Sequence, residues 1–268
     1  MNRARQFATV VLCFTGMVTL LSVFFAPAPY AQQFRDLLNA PPSVQHLLGT
    51  DELGRDLLSR LLYGTRVSLF LAPAAAMLST LIAGVLGAAA GFRGGWSERV
   101  VLAATDLTLA LPWLFLLLTV RAMLPLDVSP MVSVAVTFLL LGLLGWPVSL
   151  RVVCAAARSI RNSDFLLLAR STGCPPLRLV VRHVLPNLRP ILLAQFWVSI
   201  PLFILTEANL SILGLGVMEP MPSWGNLLRG LEDFSSVRVY PWRLAPLLLL
   251  VIVVTCFQLI LPLEEVAP

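Results

Sequence analysis

The chain has no lysine. A P-loop uses lysine to reach the terminal phosphates of a nucleotide, so ATP hydrolysis through that motif is excluded. Charge of either sign is sparse: 12% of the 268 residues are charged, against about 25% in an ordinary soluble domain. Cysteine is confined to Cys13, Cys154, Cys174 and Cys256, with no CxxC pair and none in a segment expected on the outer side. That argues against an exported disulfide framework and for small buried hydrophobes. Histidine is limited to His46 and His183, both outside the apolar runs. The serine and histidine of an intramembrane protease are therefore not available at membrane depth. No catalytic, cofactor-binding or metal-binding constellation is indicated, and an enzyme is not expected. What fills the chain is apolar: 58% hydrophobic residues and a mean hydropathy of +0.86. That composition specifies an all-α polytopic membrane protein.

A spanning helix needs roughly 20 apolar residues. Phe7–Ala26, Val67–Phe92, Val128–Leu150 and Leu244–Leu263 meet that without a charge. Two further spans carry one acid each. Asp106 lies between Arg99 and Arg121, and Glu207 between Arg189 and Glu219. Six transmembrane helices are expected. With the N-terminus inside, segments 1–6, 93–99, 151–189 and the C-terminal tail hold eleven arginines; segments 27–66, 121–127 and 219–243 hold eight. Counting acids, the inner side is +7 and the outer side zero. The basic excess of the 151–189 loop sets an N-in, C-in orientation. Arg3 and Arg5 resemble the start of a signal peptide. The apolar run is longer than the usual 7–15 or so residues, however, and Pro27 and Pro29 spoil a small-residue cleavage site, so an uncleaved anchor is expected.

In the outer segment, Thr50 can cap a helix whose first turn carries Asp51 and Glu52. Leu53, Leu57, Leu58, Leu61 and Leu62 then share one face, and Arg55, Asp56, Ser59 and Arg60 the other. This spacing predicts an amphipathic helix on the outer leaflet, leading into the second span. A pre-span helix that only fixes the entry angle fits equally. Gly87 and Gly91 form a GxxxG pair suited to close packing inside the bundle. Asp106 sits at the inner boundary as a structural anchor if the third helix runs over 107–126, with Arg121 snorkelling at its outer end. Glu207 lies about 25 Å beyond Pro190 at a rise of about 1.5 Å per residue, near the outer side. It is a candidate for the translocation path; pairing with an arginine, or with a backbone turn near Gly214 and Gly216, is the alternative. Residues 213–230 read as an outer loop or short re-entrant turn, with Trp224 in the interfacial belt.

The 163–187 loop is both basic and greasy. Arg170, Arg178 and Arg182 face a single acid, Asp164, among many apolar residues. Ser163 is a candidate N-cap for a helix over 164–172, Gly173 suits a left-handed C′ position, and Pro175 can open a second helix to about Val184. Pro186 marks a break before the fifth span. Such a knob could rest on anionic headgroups or dock a partner protein; spacing alone supports both.

In register, this loop resembles the coupling loop of binding-protein-dependent ABC transporter permeases. That loop reads E-A-A, three residues, G, nine residues, I, one residue, L-P. Ala169, Gly173, Leu185 and Pro186 match, and Arg182-His183-Val184-Leu185-Pro186-Asn187 follows the R-H-I-L-P-N ending of the peptide branch. Residues 48–66, with Gly49, Thr50, Asp51, Gly54, Arg55 and Asp56, are similar to the outer L-G-T-D-x-x-G-R-D motif of the second, C-type subunit of the dipeptide, oligopeptide and nickel branch. EANLSILGLGV over 207–217 and PSWGNLL over 222–228 are similar to two further stretches of that subunit. The departures are Leu167 and Leu168, where the family carries glutamate and alanine, and the PLEEVAP C-terminus.

The resemblance implies a membrane-spanning subunit of an ATP-driven importer for peptides or related small solutes, nickel among them, in a bacterial or archaeal inner membrane. Residues 1–66 would form the anchor helix and outer amphipathic segment. Residues 67–268 would form the permease domain, with coupling loop 155–189. The implied partners are a homologous permease subunit, two ATPase subunits, an extracytoplasmic solute-binding protein and the bilayer; no nucleic acid is implied. ATP and Mg would reside on the ATPase subunits and no cofactor on this chain. ATPase coupling would fall on Asp164, Ala169, Arg170, Gly173, Arg178, Arg182, His183, Leu185 and Pro186. The Leu167 and Leu168 departures leave a second reading, a divergent permease-like scaffold with weakened coupling.

Overall fold

The computed structural model describes residues 3–123, 128–172, 174–232 and 238–260. Their regular structure is helical apart from two isolated β-bridges, Gln33 with Arg55 and Thr50 with Asp56. Among the described residues, four stretches are long and apolar enough to cross a membrane: Leu57–Arg93, Pro130–Arg161, Val180–Ile212 and Pro241–Ile260. A fifth is possible if Gly95–Ala110 and Trp113–Met123, bent by 84°, count as one broken span. This is the all-α polytopic architecture that composition demands. The first expected span is divided into α1 (Arg3–Leu20) and α2 (Ser22–Phe25). Thr15 and Thr19 donate back to the carbonyls of Val11 and Thr15, at 2.8 and 2.9 Å, the kind of bonding that bends helices.

The chain forms two compact units that alternate along the sequence. The first comprises Met1–Ala72, Val120–Phe138 and Ile200–Pro268. In it α1 packs along the last described helix, α12 (Ala245–Ile260), and buries Ala8, Thr15 and Thr19. Helix α3 (Leu57–Arg93) begins in this unit. The 48–56 segment that precedes it is not helical. Gly49 and Gly54 have φ of +68° and +72°, a region where glycine avoids the Cβ penalty, and they turn the chain back on itself. The expected surface helix is thus replaced by a folded loop, and the polar set Arg55, Asp56, Ser59 and Arg60 is buried. Leu57, Leu61 and Leu62 are buried as well, so the start of α3 has no solvent face.

The second unit comprises Pro73–Thr119 and Leu139–Ser199. It holds α4 (Gly95–Ala110), the lower part of α6 (Pro130–Leu144), α7 (Trp146–Arg161), α8 (Asp164–Ser171) and α9 (Pro176–Leu179). Gly87 and Gly91 of α3 lie directly against α7. A Cβ on Gly87 would sit 2.9 Å from the Leu150 carbonyl oxygen, and one on Gly91 would sit 2.9 Å from Ala157 Cβ. The GxxxG pair therefore serves packing within the chain. Two ion pairs join α4 to α7, Arg158–Glu98 at 3.0 Å and Arg151–Asp106 at 3.5 Å. Asp106 is paired with Arg151 at the surface, and the helix expected over 107–126 is broken. Helix α4 stops at Ala110 and α5 (Trp113–Met123) restarts after Pro112, because proline removes an amide donor and restricts the preceding residue.

Helix α10 (Leu185–Ile212) runs without interruption through Pro186, where a break was expected. A π-helical turn over Val180–Val184 leads into it. Widening to the i→i+5 pattern accommodates a residue with no N–H and a ring that crowds the carbonyl four residues back. One turn on, the His183 carbonyl also accepts from Asn187 Nδ2 at 2.6 Å. Helix α11 (Trp224–Arg229), a 3₁₀ turn (Pro241–Leu244) and α12 (Ala245–Ile260) complete the chain. Cys154 and Cys256 are buried as expected, Cys174 is partly buried and Cys13 is exposed.

Candidate functional site

Two places gather the motif residues, one in each unit. In the first unit, the 48–66 and 207–228 stretches assemble around Glu219. Asp51 organises the turn: its Oδ1 accepts the amides of Leu53 and Arg55 at 2.9 and 2.8 Å. Its Oδ2 accepts from Arg55 Nε at 2.7 Å. Thr50 donates its hydroxyl to the Leu37 carbonyl and accepts from the Ala40 amide at 2.9 Å. Asp56 caps α3 through the Ser59 amide at 2.7 Å, and its second oxygen meets His46 Nδ1 at 2.8 Å. The turn thereby aims two arginines at one carboxylate. Arg55 Nη1 reaches Glu219 Oε2 at 2.6 Å, and Arg60 Nη2 reaches Oε1 at 2.8 Å. Charge-assisted, near-bidentate contacts of this kind fix geometry as well as adding energy.

Glu207 lies on the same side of the first unit, fully buried on α10. Its Oε1 accepts hydroxyls from Ser211 and Ser223, both at 2.7 Å. Ser223 is also the N-cap of α11 in a reciprocal pair with Asn226. Ser211 Oγ accepts the Val217 amide at 3.2 Å. Among the described residues no arginine pairs with it, and Glu207 holds the 213–223 loop through two serines. Gly225 fits only because it lacks a side chain, since a Cβ there would sit 2.7 Å from Ala208 Cα. Trp224 is completely buried, with Nε1 donating to Thr65 Oγ1 at 2.9 Å, rather than lying in an interfacial belt. Arg121 is buried too and does not snorkel. Ser133 accepts from its Nη2 at 3.3 Å and relays to the Gly216 carbonyl, an internal acceptor chain in place of headgroups.

In the second unit, α8 turns Leu166 inward onto a core of Val153, Ala157, Leu179, Val184 and Leu188. Ala169 packs against this core from the same face. Leu167 and Leu168, at the family glutamate and alanine positions, point out, 51% and 66% exposed. Phe165, Val181 and Leu185 are exposed as well, as are Asp164, Arg178, Arg182 and Pro186. His183 is partly buried, its ring 6.5 Å from that of Phe165. The Ser163 hydroxyl donates to the Ile160 carbonyl instead of capping α8. Gly173 and the side chain of Arg170 lie outside the described residues. Among the described residues no group of His, Cys, Asp or Glu is placed to hold a metal ion.

Sequence reasoning missed Glu219, Ser211 and Ser223. A signal for the first was present: acids and arginines balance in the outer segments, while the inner side keeps a basic excess.

The family described as binding-protein-dependent transport system inner membrane component matches residues 83–263. The chain belongs to this family. It is 34% identical over 246 residues to the oligopeptide transport system permease protein OppC of Bacillus subtilis, covering 90% of this chain and 78% of that one. It is 33% identical over 260 residues to OppC of Mycobacterium bovis, covering 95% and 87%. It is 30% identical over 244 residues to the dipeptide transport system permease protein DppC of Bacillus subtilis, covering 91% and 74%. The chain is thus a multi-pass inner-membrane permease component. Membership implies ABC transporter partners, an ATPase and a substrate-binding protein.

Proposed function

We propose that the chain is the C-type permease subunit of an ATP-driven peptide importer. It pairs with a homologous permease subunit and docks one of two ATPase subunits through residues 163–187. ATP and Mg belong to those ATPases. The observation that carries the reading is the two-sided α8. Leu166 anchors it to α7 and α10, while Leu167 and Leu168 face outward. A helix fixed on one face and apolar on the other transmits a push from a partner to the span it adjoins. An apolar contact at these two positions takes the place of the family glutamate, with Arg178 and Arg182 available to steer an acidic rim. The arginine bias favours a cytoplasmic position for this knob.

Proteoliposomes carrying both permeases and both ATPases, with the solute-binding protein and labelled di- to pentapeptides, test the assignment. ATP-dependent peptide uptake is expected. An assembled, ATP-hydrolysing complex that takes up nickel chelates but no peptide would reassign the substrate.

A further inference from the structure

Within the first unit, the Glu219 clasp forms one wall of a cavity of about 520 Å³. Small-molecule sites occupy roughly 300–1,000 Å³. Asp51, Arg55, Arg60 and Glu219 neutralise one another there. Four more charges line the same cavity: Arg229, Arg243, Glu52 and Glu232. None of these four is in an ion pair among the described residues. Arg243 is 7% exposed, and among the described residues its Nε has no hydrogen-bond partner. Its guanidinium is positioned by a hydrogen bond to Asn39 Oδ1 and by the Tyr240 ring at 5.2 Å. A preset, buried guanidinium with an unpartnered donor is costly unless something with acceptor oxygens meets it.

These four charges come in both signs, which matches a zwitterion better than a simple anion or cation. We propose that this cavity receives a short peptide with free termini. Its carboxylate meets Arg229 and Arg243, and its ammonium meets Glu52 and Glu232. The Glu219 clasp is then the rigid, already neutral wall that leaves those four groups to the ligand. The proposal rests on the peptide-import reading and gives this chain a part in selecting substrate for free ends. A concave volume of this size favours a small ligand over the surface of a docking protein.

The test uses the complex of permeases and ATPases in nanodiscs without the solute-binding protein. A photoreactive tripeptide is the probe, and trialanine, its C-terminal amide and its N-acetyl form are competitors. Labelling within residues 51–60 or 226–232 is expected. Trialanine should compete about tenfold better than either blocked form, the factor that one lost charge-assisted contact supplies. Arg229→Gln should remove the preference for the free carboxylate, and Glu232→Gln the preference for the free ammonium. Equal competition by all three forms overturns the site. So does an Arg229→Gln variant that weakens solute-binding-protein affinity while keeping the preference for the free carboxylate, since the arginine then serves protein docking. Uptake of trialanine by the full transporter is measured alongside. Normal uptake with equal competition removes only the cavity proposal, whereas absence of any peptide uptake removes the reading beneath it.

Discussion

Arg60 and Glu219 stand 159 residues apart in the chain and meet at 2.8 Å. Their contact, shared with Arg55, ties the loop that opens α3 to the loop that follows α10. Arg60 is 1% exposed, while the Glu219 side chain is 46% exposed. Removing the arginine strands little charge, because Arg55 still faces the carboxylate. Arg60→Ala is expected to destabilise the purified protein by roughly 1–3 kcal/mol, the scale of a charge-assisted hydrogen-bonded pair. A double-mutant cycle with Glu219→Gln, read by thermal unfolding, should show a coupling above about 0.5 kcal/mol, the limit of additivity for independent sites. Strict additivity would mean that the clasp contributes nothing.

The glycines of α3 make a second, independent prediction. Gly91→Ala would bring a Cβ within 2.9 Å of Ala157 Cβ and 3.1 Å of the Arg158 amide. Overpacking of that kind costs about 1–3 kcal/mol. Gly16→Ala in α1 meets nothing within 4 Å, so it should be neutral or gain up to about 1 kcal/mol from helix propensity. Thermal midpoints of the two variants in one detergent check the contrast, and equal midpoints would refute the close approach of α3 to α7.

Glu207 offers two hydroxyls an acceptor at one oxygen. Glu207→Gln keeps an acceptor for Ser211 and Ser223 and should leave stability within about 1 kcal/mol. Glu207→Leu orphans both hydroxyls and should cost several times more, at about 1–3 kcal/mol for each unsatisfied group. Limited proteolysis within 213–223 reads the release of the loop directly. If Glu207→Gln stays folded yet alters uptake kinetics, the glutamate contributes to the path as well as to the loop.

The membrane class was legible because apolar runs and the arginine asymmetry are long-range averages that local detail does not disturb. The coupling knob was legible in part. Asp164 starts a helix that ends near Ser171, as its spacing predicts. The continuity of α10 was hidden, since a π-turn that absorbs Pro186 leaves no distinct mark in composition. The 48–56 loop misled for a physical reason. Leucines at helical spacing continue into α3 and imitate one long amphipathic helix, whereas Gly49 and Gly54 adopt positive φ and bury the polar face. The partnership of Arg55 and Arg60 with Glu219 could not be read from spacing, because pairs this distant depend on the tertiary fold.

The two-sided α8 separates stability from coupling. Leu166→Ala should lower stability by about 2–5 kcal/mol, as for other fully buried leucines. Leu168→Asp lies on the exposed face, where substitutions usually change stability by no more than about 0.5 kcal/mol. The most direct measurement is therefore ATP hydrolysis stimulated by the solute-binding protein in nanodiscs, compared between the native complex and Leu168→Asp. An unaltered thermal midpoint is expected together with loss of stimulated hydrolysis and of ATPase co-purification. Full stimulation and a stable complex in Leu168→Asp would contradict docking through residues 163–187 and leave the scaffold reading in its place.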